Sequence, residues 1–506
     1  MMSLLVLFFI TLVIAILSGL LFLIHKVPLR YAKYHLIIFS VPTFIALIGT
    51  IFIRENLEIG PWHLDVLSWL LAFFILMIGL IIQRFSLRYL YGDAHYRNYF
   101  TLFTIMTTFA SVAWLSDDLR IMTGLWGITL LCLTMLIKLN KQWKVTKEAS
   151  KITGILFLVS WLSLLCAILF VNYLSGEWAI SAIFTVENLK SFDSWQGVII
   201  QLLLILSVII PAAQWPFHRW LIESVAAPTP VSAIMHAGIV NVGGVILTRF
   251  SPIFMNEWTL SILLIIASVS VLIGSGISLV HVDYKRQLVG STMGQMGFML
   301  IQCALGAYSA AIIHLILHGL FKATLFLRSG SAVRHFEVPT RMNESISYIW
   351  VLVGRFLAVF IGITFWLITP YSSYQFISAL ILAWSLSVSW TQLVAFGEGK
   401  LGRIIGLAAL VSISVVYFAI HNFFHHWLQQ FEFQLAEPPF FVVTVMIAML
   451  VLGSLMSMWI GRNKSSRIFL MTYLWLVHFG EAKYHSVESH PRYLKDHFVK
   501  GGYKHG

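Results

Sequence analysis

Residues 314–330 read HLILHGLFKATLFLRSG and place His314, His318 and Lys322 at four-residue intervals inside an apolar stretch. A step of four residues turns a helix through about 400°, so the three side chains lie along one stripe. A lysine at bilayer depth is costly and usually has a partner or a function there. Imidazoles titrate near neutral pH and can pass protons. The stretch therefore predicts a membrane helix whose ladder of protonatable groups conducts protons or other cations.

Zinc binding is a second interpretation of the two histidines, because their i,i+4 spacing permits it. The HExxH glutamate is missing from this stretch, and Lys322 one turn further on would repel the metal. We therefore expect no metal site and no other cofactor in this chain.

The composition indicates an all-α polytopic membrane protein. The chain has 506 residues, of which 59% are hydrophobic and 11% are charged, whereas soluble domains carry about 25% charged residues. Apolar runs of about 20 residues recur along the chain, each long enough to cross the hydrocarbon core. The net charge of +12 lies in short loops between these runs, which favours membrane orientation over nucleic-acid binding.

Hydropathy predicts about 15 spans, followed by a tail. The predicted spans cover approximately residues 3–24, 34–53, 64–83, 98–115, 119–137, 152–174, 196–217, 230–249, 258–280, 287–304, 307–327, 346–368, 374–395, 404–424 and 440–460. We therefore predict a membrane domain over residues 1–460 and a cytoplasmic tail, rich in His and Lys, over 461–506. The tail could dock a partner or could simply be solvated.

Loop charge predicts the orientation of the chain. One side of the predicted topology holds roughly 27 of the 33 Lys and Arg residues, and such loops are usually cytoplasmic. This alternation predicts an outside N-terminus and a cytoplasmic C-terminus. The first apolar run lacks a basic n-region and a cleavage site, so we expect it to be a retained span rather than a signal peptide.

Two proline-containing motifs precede the ladder. Residues 211–220 read PAAQWPFHRW, and Pro211 and Pro216 should break the span there and free backbone polar groups. The alternative is a harmless kink. Residues 228–238 read PTPVSAIMHAG and place His236 about two turns into the next span. His236 is either a hydrogen-bonded core residue or a further relay group.

Charged residues and glycines follow in the motif DYKRQLVGSTMGQMGFM, residues 283–299. Asp283 and Lys285 form a mixed-charge cluster at the mouth of the next span, where they could be a boundary ion pair or an exit for ions. Glycines at positions 290, 294 and 297 predict a face that another helix can approach closely. Arg355, within VLVGRFLAV, is a second expected buried cation, which could pair, snorkel or take part in transport.

The four motifs at residues 211–220, 228–238, 283–299 and 314–330 together resemble the core of the proton-translocating antiporter-like family. This family includes large membrane subunits of respiratory complex I and of Mrp-type cation/proton antiporters. The resemblance covers mainly residues 205–330, with four motifs in the expected order. It implies two inverted five-helix repeats, at about 98–249 and 258–395, each with a broken helix. It also implies pathway roles for His236 and for the ladder of His314, His318 and Lys322.

The same resemblance assigns Asp283 and Lys285 to the polar entrance of the second repeat. Within the family, the chain is most similar to membrane subunits of bacterial inorganic-carbon pumps. That branch implies a bacterial cytoplasmic membrane and a cytoplasmic zinc protein, similar to β-carbonic anhydrases, as partner. The chain itself would conduct ions and would not be an enzyme.

Two positions depart from the family pattern. A glutamate usually follows a tryptophan in the fifth span, but here Trp126 precedes Gly127. A lysine is usual in the broken seventh span, where this chain has Pro211. Loss of both charges together is coherent, since one buried charge left alone is the costly state. Glu223 lies at the family's acidic position near the cytoplasmic edge.

We therefore expect a proton-conducting or sodium-conducting subunit of an inorganic-carbon uptake complex. One rival is a proton-pumping subunit of a respiratory or Mrp-type complex. A second rival, from another class, is a non-conducting scaffold that anchors a partner.

Overall fold

The computed structural model describes residues 2–53, 56–140, 143–329, 348–368, 399–428, 439–463 and 465–482, with 376, 379–384 and 386–387. The first helices and the one hairpin are α1 (Met2–Leu20), α2 (Tyr31–Phe52), β1 (Leu57–Ile59), β2 (Trp62–Leu64), α3 (Val66–Tyr89), α4 (Tyr96–Ala113), α5 (Leu119–Lys138), α6 (Lys144–Ser175), α7 (Ile180–Ile183) and α8 (Val186–Ser191). They are followed by α9 (Trp195–Ile209), α10 (Arg219–Glu223), α11 (Thr229–Ala237), α12 (Val242–Arg249), α13 (Glu257–Val280), α14 (Tyr284–Ala304), α15 (Tyr308–Ser329), α16 (Tyr348–Ile368), α17 (Gly399–Leu428), α18 (Phe440–Arg462) and α19 (Arg467–Phe479).

Helices cover every predicted span except 374–395, most of which lies outside the described residues. Nine segments in the described ranges, one of them α11 joined to α12, are long and apolar enough to cross a membrane. The chain is therefore a multi-pass helical membrane protein, as predicted. The number of 15 crossings and the division into two repeats stay predictions.

The predicted break in the seventh span is confirmed. Helix α9 ends at Ile209 and α10 begins at Arg219, with Pro211 and Pro216 between them. The two prolines release the carbonyls of Ser207 and Ala212, which accept hydrogen bonds from Ser160 Oγ and Gln214 Nε2, each at 2.7 Å. Buried side chains thus satisfy backbone groups that the prolines release, as irregular backbone within a membrane requires.

A second interruption separates α11 from α12 and was not predicted. A 3-10 turn, Ile239–Asn241, joins the two helices. The side-chain amide of Asn241 donates a hydrogen bond to the Ala237 carbonyl at 2.7 Å. Helix α16 is continuous from Tyr348 to Ile368, and the break implied for the second repeat stays a prediction.

The predicted small-residue face lies on α14 and packs against α13. A Cβ atom at Gly290 would lie 2.6 Å from the amide nitrogen of Ser278 and 2.7 Å from the Gly274 carbonyl oxygen. A Cβ atom at Gly297 would lie 2.7 Å from the Ala267 carbonyl oxygen. Backbone thus packs on backbone, which only glycine permits at this separation.

The start of the predicted polar tail is an apolar helix, so that part of the prediction was wrong. Helix α19 rests on the end of α13, where Leu476 fits against Gly276 and a Cβ atom at Gly480 would lie 2.2 Å from His281 Nε2. The Phe479 ring stacks on His218, in the α9–α10 break, with 4.4 Å between ring centroids. The high count of His and Lys over 461–506 concealed the apolar run RIFLMTYLWLVHF.

A buried ion pair joins α3 to α12. Asp65 caps the N-terminus of α3, accepting from the Ser68 amide at 2.5 Å, and Arg249 Nη1 donates to Asp65 Oδ2 at 2.7 Å. Burial would raise the pKa of Asp65, but the charge of Arg249 and hydrogen bonds from His63 and Arg249 hold that pKa well below its usual range. Because the folded-state pKa is lowered, the stabilisation is present above the unfolded pKa of about 3.9 and is lost as the pH falls through the folded-state value.

The α13–α14 contact predicts the effect of Gly290→Ala. The added methyl group meets backbone on two sides, so the helices must separate, at a cost of about 1–3 kcal/mol. We expect a lower midpoint of thermal unfolding in detergent, followed by tryptophan fluorescence. Gly124→Ala is the matched control, because a Cβ atom there meets nothing within 4 Å. Equal midpoints for the two variants would contradict the contact.

The ion pair predicts that Arg249→Met destabilises the fold at pH 7 by about 3–5 kcal/mol, because it leaves the Asp65 carboxylate buried and unpaired. The same unfolding assay measures the loss. Removing Arg120, whose pair with Asp118 is exposed, should have little effect. The double variant Asp65→Asn with Arg249→Met should regain much of the stability; if it is as unstable as the single variant, the electrostatic explanation is wrong.

Candidate functional site

Lys322 lies inside the protein, on the face of α15 that packs against α14. Its side chain is 0% exposed, and its Nζ donates a hydrogen bond to the Leu288 carbonyl of α14 at 3.1 Å. A buried cation is tolerated only where polar groups replace water. The Leu288 carbonyl is such a group.

His314 and His318 follow on the same stripe of α15, with 5.9 Å between their ring centroids. His314 Nδ1 lies 3.2 Å from Gln302 Oε1 on α14. Since an amide oxygen only accepts hydrogen bonds, Nδ1 carries a proton in this arrangement. His318 Nε2 is buried and has no hydrogen-bond partner among the described residues, so it can exchange a proton with a neighbouring group.

His236, on α11, belongs to the same cluster. Its Nδ1 lies 2.9 Å from Thr292 Oγ1, and its ring stacks on Phe326 at 4.2 Å between centroids. The Thr292 hydroxyl donates a hydrogen bond to the Leu288 carbonyl at 2.8 Å, and the same carbonyl accepts the hydrogen bond from Lys322. The structure therefore links α11 to the ladder of α15 through α14.

A cavity of about 390 Å³ adjoins the two ladder histidines. Its lining consists of Ser291, Gln295, Phe298, Gln302, Ala310, Ile313, His314, Leu317, His318, Phe321, Tyr417 and Ile420. The space is large enough for several water molecules, and hydroxyl, amide and imidazole groups face it. The cavity gives the ladder a polar approach from α14 and α17.

Asp283 and Lys285 lie at the start of α14, about one turn before the Leu288 carbonyl that Lys322 contacts. Asp283 is exposed and caps α14 by accepting from the Arg286 amide at 3.0 Å. Lys285 donates to the Ala227 carbonyl at 3.3 Å, which holds the start of α14 against the segment after α10. Glu223 is 1% exposed and pairs with Arg219, with 3.5 Å between Oε1 and Nε.

Arg355 is not the buried cation that the sequence suggested. Its side chain is exposed on α16, on a face that also exposes Leu352, Phe356 and Val359. An arginine within an apolar run can face outward in this way, because hydropathy alone does not say which helix face meets lipid. The structure therefore does not bring Arg355 to the ladder, and its role in transport stays untested.

The two departures from the family pattern produce a nonpolar environment. A Cβ atom at Gly127 would lie 2.6 Å from Trp161 Nε1, which donates to the Thr123 carbonyl at 2.9 Å. Trp126 lines a cavity of about 50 Å³ whose walls are mostly apolar. Pro211 lies in the α9–α10 break.

Several polar partners of the ladder were not predicted. Thr292 and Gln302 lie on α14, and Tyr417 reaches the cavity from α17. Polar residues at 291, 295 and 302 follow a helical spacing and could have indicated this face. Backbone groups such as the Leu288 carbonyl leave no trace in a sequence. Within the described ranges, no group of three or more His, Cys, Asp or Glu residues is placed to hold a metal ion.

Comparison with known proteins identifies the family. Residues 116–406 match the family described as NADH:quinone oxidoreductase/Mrp antiporter, TM. The chain is 58% identical, over 98% of both chains, to a protein of Bacillus subtilis (strain 168) named "Probable inorganic carbon transporter subunit DabB". A protein of the same name in Bacillus anthracis is 56% identical, over 99% of this chain and 98% of its own length.

The fold is similar to a chain in the structure of the Mrp complex from Dietzia sp. DQ12-45-1b, with a TM-score of 0.58 and 20% identity. The match covers 98% of this chain and 55% of that chain, so this chain spans about half the length of the Mrp chain. The chain therefore belongs to the NADH:quinone oxidoreductase/Mrp antiporter transmembrane family, and within it to the group of DabB subunits.

Proposed function

We propose that the chain is the ion-conducting membrane subunit of an inorganic-carbon uptake complex, with the proton as the conducted ion and sodium as the alternative. The buried contact between Lys322 and the Leu288 carbonyl carries this proposal. A cation held away from water, in line with two imidazoles and beside a polar cavity, is typical of an ion pathway. The names of the Bacillus relatives support inorganic carbon as the coupled substrate.

In this mechanism protons enter from the outer side through the cavity and pass along His314, His318 and Lys322. The unpartnered nitrogen of His318 can accept a proton from the cavity side and release it toward Lys322. Lys322 alternates between its charged and neutral forms as the neighbouring groups gain and lose protons. Protons then leave by way of His236 or the Lys285 end of α14, with Asp283 and Glu223 at the cytoplasmic edge.

The proposed orientation has the N-terminus outside and the C-terminus in the cytoplasm of a bacterial inner membrane. The partner would be a DabA-like cytoplasmic zinc protein, similar to β-carbonic anhydrases, that hydrates CO2 to bicarbonate. Ion flow through the membrane subunit would make that hydration directional. The apolar helix α19 packs against the end of α13 at His281, close to the start of α14 that carries Lys285, and such a partner would bind at this end.

Lys322→Ala tests conduction against the scaffold alternative. We expect inorganic-carbon uptake by cells to fall at least about tenfold, because the pathway loses its central charge. Uptake of labelled bicarbonate, measured with a blot for the membrane-inserted protein, gives the result. Thr324→Ala is the control, since Thr324 is exposed on the same helix and bonds only within it. Full uptake by a correctly inserted Lys322→Ala variant would support the scaffold.

Affinity purification from native membranes tests the partner. We expect a large soluble zinc protein to be recovered in about equal amount, because a subunit of one complex should copurify with its partner. Zinc is measured by mass spectrometry of the eluted complex. Recovery of a set of respiratory or antiporter subunits instead would favour the rival in which the chain serves a proton-pumping complex.

A further inference from the structure

A further buried imidazole, His35, lies in a part of the molecule that the ladder does not use. It stands on α2 with no exposed surface, where α1, α3 and α4 meet. Its Nδ1 lies 2.8 Å from Ser18 Oγ, and Ser18 Oγ lies 2.6 Å from the hydroxyl of Tyr31. Its Nε2 lies 2.8 Å from Thr104 Oγ1 and 3.1 Å from Gln83 Oε1. Both ring nitrogens therefore have polar partners.

The partners determine the direction of each hydrogen bond. Thr104 gives its single hydroxyl proton to the Phe100 carbonyl at 2.8 Å, and Gln83 Oε1 can only accept. His35 Nε2 must therefore be the protonated nitrogen. In the neutral ring Nδ1 then accepts, so Ser18 donates to it and in turn accepts from Tyr31. The result is a one-way chain from Tyr31 through Ser18 to His35 and on to Thr104.

This chain connects one end of the bundle with its interior. Tyr31 is half-buried, at the start of α2, beside the loop that holds Lys26 and Arg30. One turn beyond Thr104, the Thr107 hydroxyl bonds to the Thr104 carbonyl at 3.2 Å and lines the cavity of about 50 Å³.

The far wall of that small cavity is formed by α11, α12 and α15. It includes Ala237, the neighbour of His236, and Leu315, the neighbour of His314. Asn241 also lines it, and its buried Oδ1 has no hydrogen-bond partner in the described part of the chain. A cavity of this size can hold a water molecule between such groups.

We propose that His35 is a second proton-carrying site, supplied through Tyr31 and Ser18, that serves the half of the molecule lacking the family's glutamate and lysine. Tyr31 takes a proton from water at the exposed end and gives its own to Ser18, which passes its proton to His35 Nδ1. The imidazolium releases its Nε2 proton to a water molecule that reaches Thr104 from the small cavity and carries the proton away, and the hydroxyl groups of Tyr31 and Ser18 then turn back. One proton enters and one leaves, and the ring, now protonated at Nδ1, must turn over before Nε2 again carries the proton.

His35→Gln and Tyr31→Phe test this site, which rests on the proposed function. Glutamine keeps a hydrogen-bonding group facing Gln83 and Thr104 but cannot carry a proton, so we expect uptake to fall about tenfold. Tyr31→Phe removes one hydroxyl from a half-buried ring and should reduce uptake about threefold or more. Proton flux, followed with a pH-sensitive dye in vesicles containing the whole complex, should fall in parallel.

Tyr34→Phe is the matched control, because Tyr34 lies on the same helix but is 65% exposed. It should keep normal uptake and flux. Each variant is compared at equal membrane insertion and equal midpoint of thermal unfolding, so that loss of folding is separated from loss of conduction. If His35→Gln does not insert, Tyr31→Phe still decides: full flux in that variant would overturn the proposal.

Lys322→Ala, measured in parallel, separates this inference from the proposed function. Loss of proton flux in Lys322→Ala with full flux in His35→Gln would support conduction through the ladder and would contradict the second site at His35. Full proton flux in both variants would show that neither the ladder nor the His35 site conducts protons, and the proposed function would then also be wrong.

Discussion

The close contact of α13 and α14 positions the whole candidate site. Gly274 and Gly290 let the two backbones touch, and this contact fixes the depth and rotation of α14. From α14 come the polar groups that meet the buried bases: the Leu288 carbonyl for Lys322, Thr292 for His236, and Gln302 for His314. A shift of α14 would therefore disturb all of these contacts together.

Such an arrangement solves the problem of keeping a titratable cation inside an apolar protein. An amine in hydrocarbon is tolerable only if fixed dipoles replace water, and a backbone carbonyl is a dipole that cannot swing away. The neighbouring cavity provides polar access without exposing the amine itself. The site thus combines a rigid partner for the charged form with a polar space from which protons can arrive.

Much of the fold followed from the sequence, because apolar runs and proline positions are local properties. They predicted the helices, the break at Pro211 and the glycine face of α14 correctly. The interruption after Ala237 was missed although Gly238 and Asn241 are poor helix formers, because the residues around them continue the apolar run and the bend depends on packing. Arg355 was expected to be buried, but hydropathy does not distinguish a helix face that meets protein from one that meets lipid.

The ladder itself was readable from spacing, whereas its surroundings were not. His314, His318 and Lys322 share one stripe because four residues make about one turn. The partners of His314 and Lys322 lie 12 and 34 positions away along the chain, and no local pattern records such distances. The small network around His35 was missed for the same reason, since its members come from four helices.

The packing at position 127 limits which charged residues the chain can accept there. The indole of Trp161 fills the space that any side chain at Gly127 would need, and its nitrogen is already engaged by the Thr123 carbonyl. A glutamate at this position would require Trp161 to move or to be exchanged for a smaller residue, and a lysine would then be needed opposite it. Each intermediate would carry either an overfilled interior or a lone charge. Introducing the family's glutamate and lysine into this chain would therefore pass through destabilised single variants.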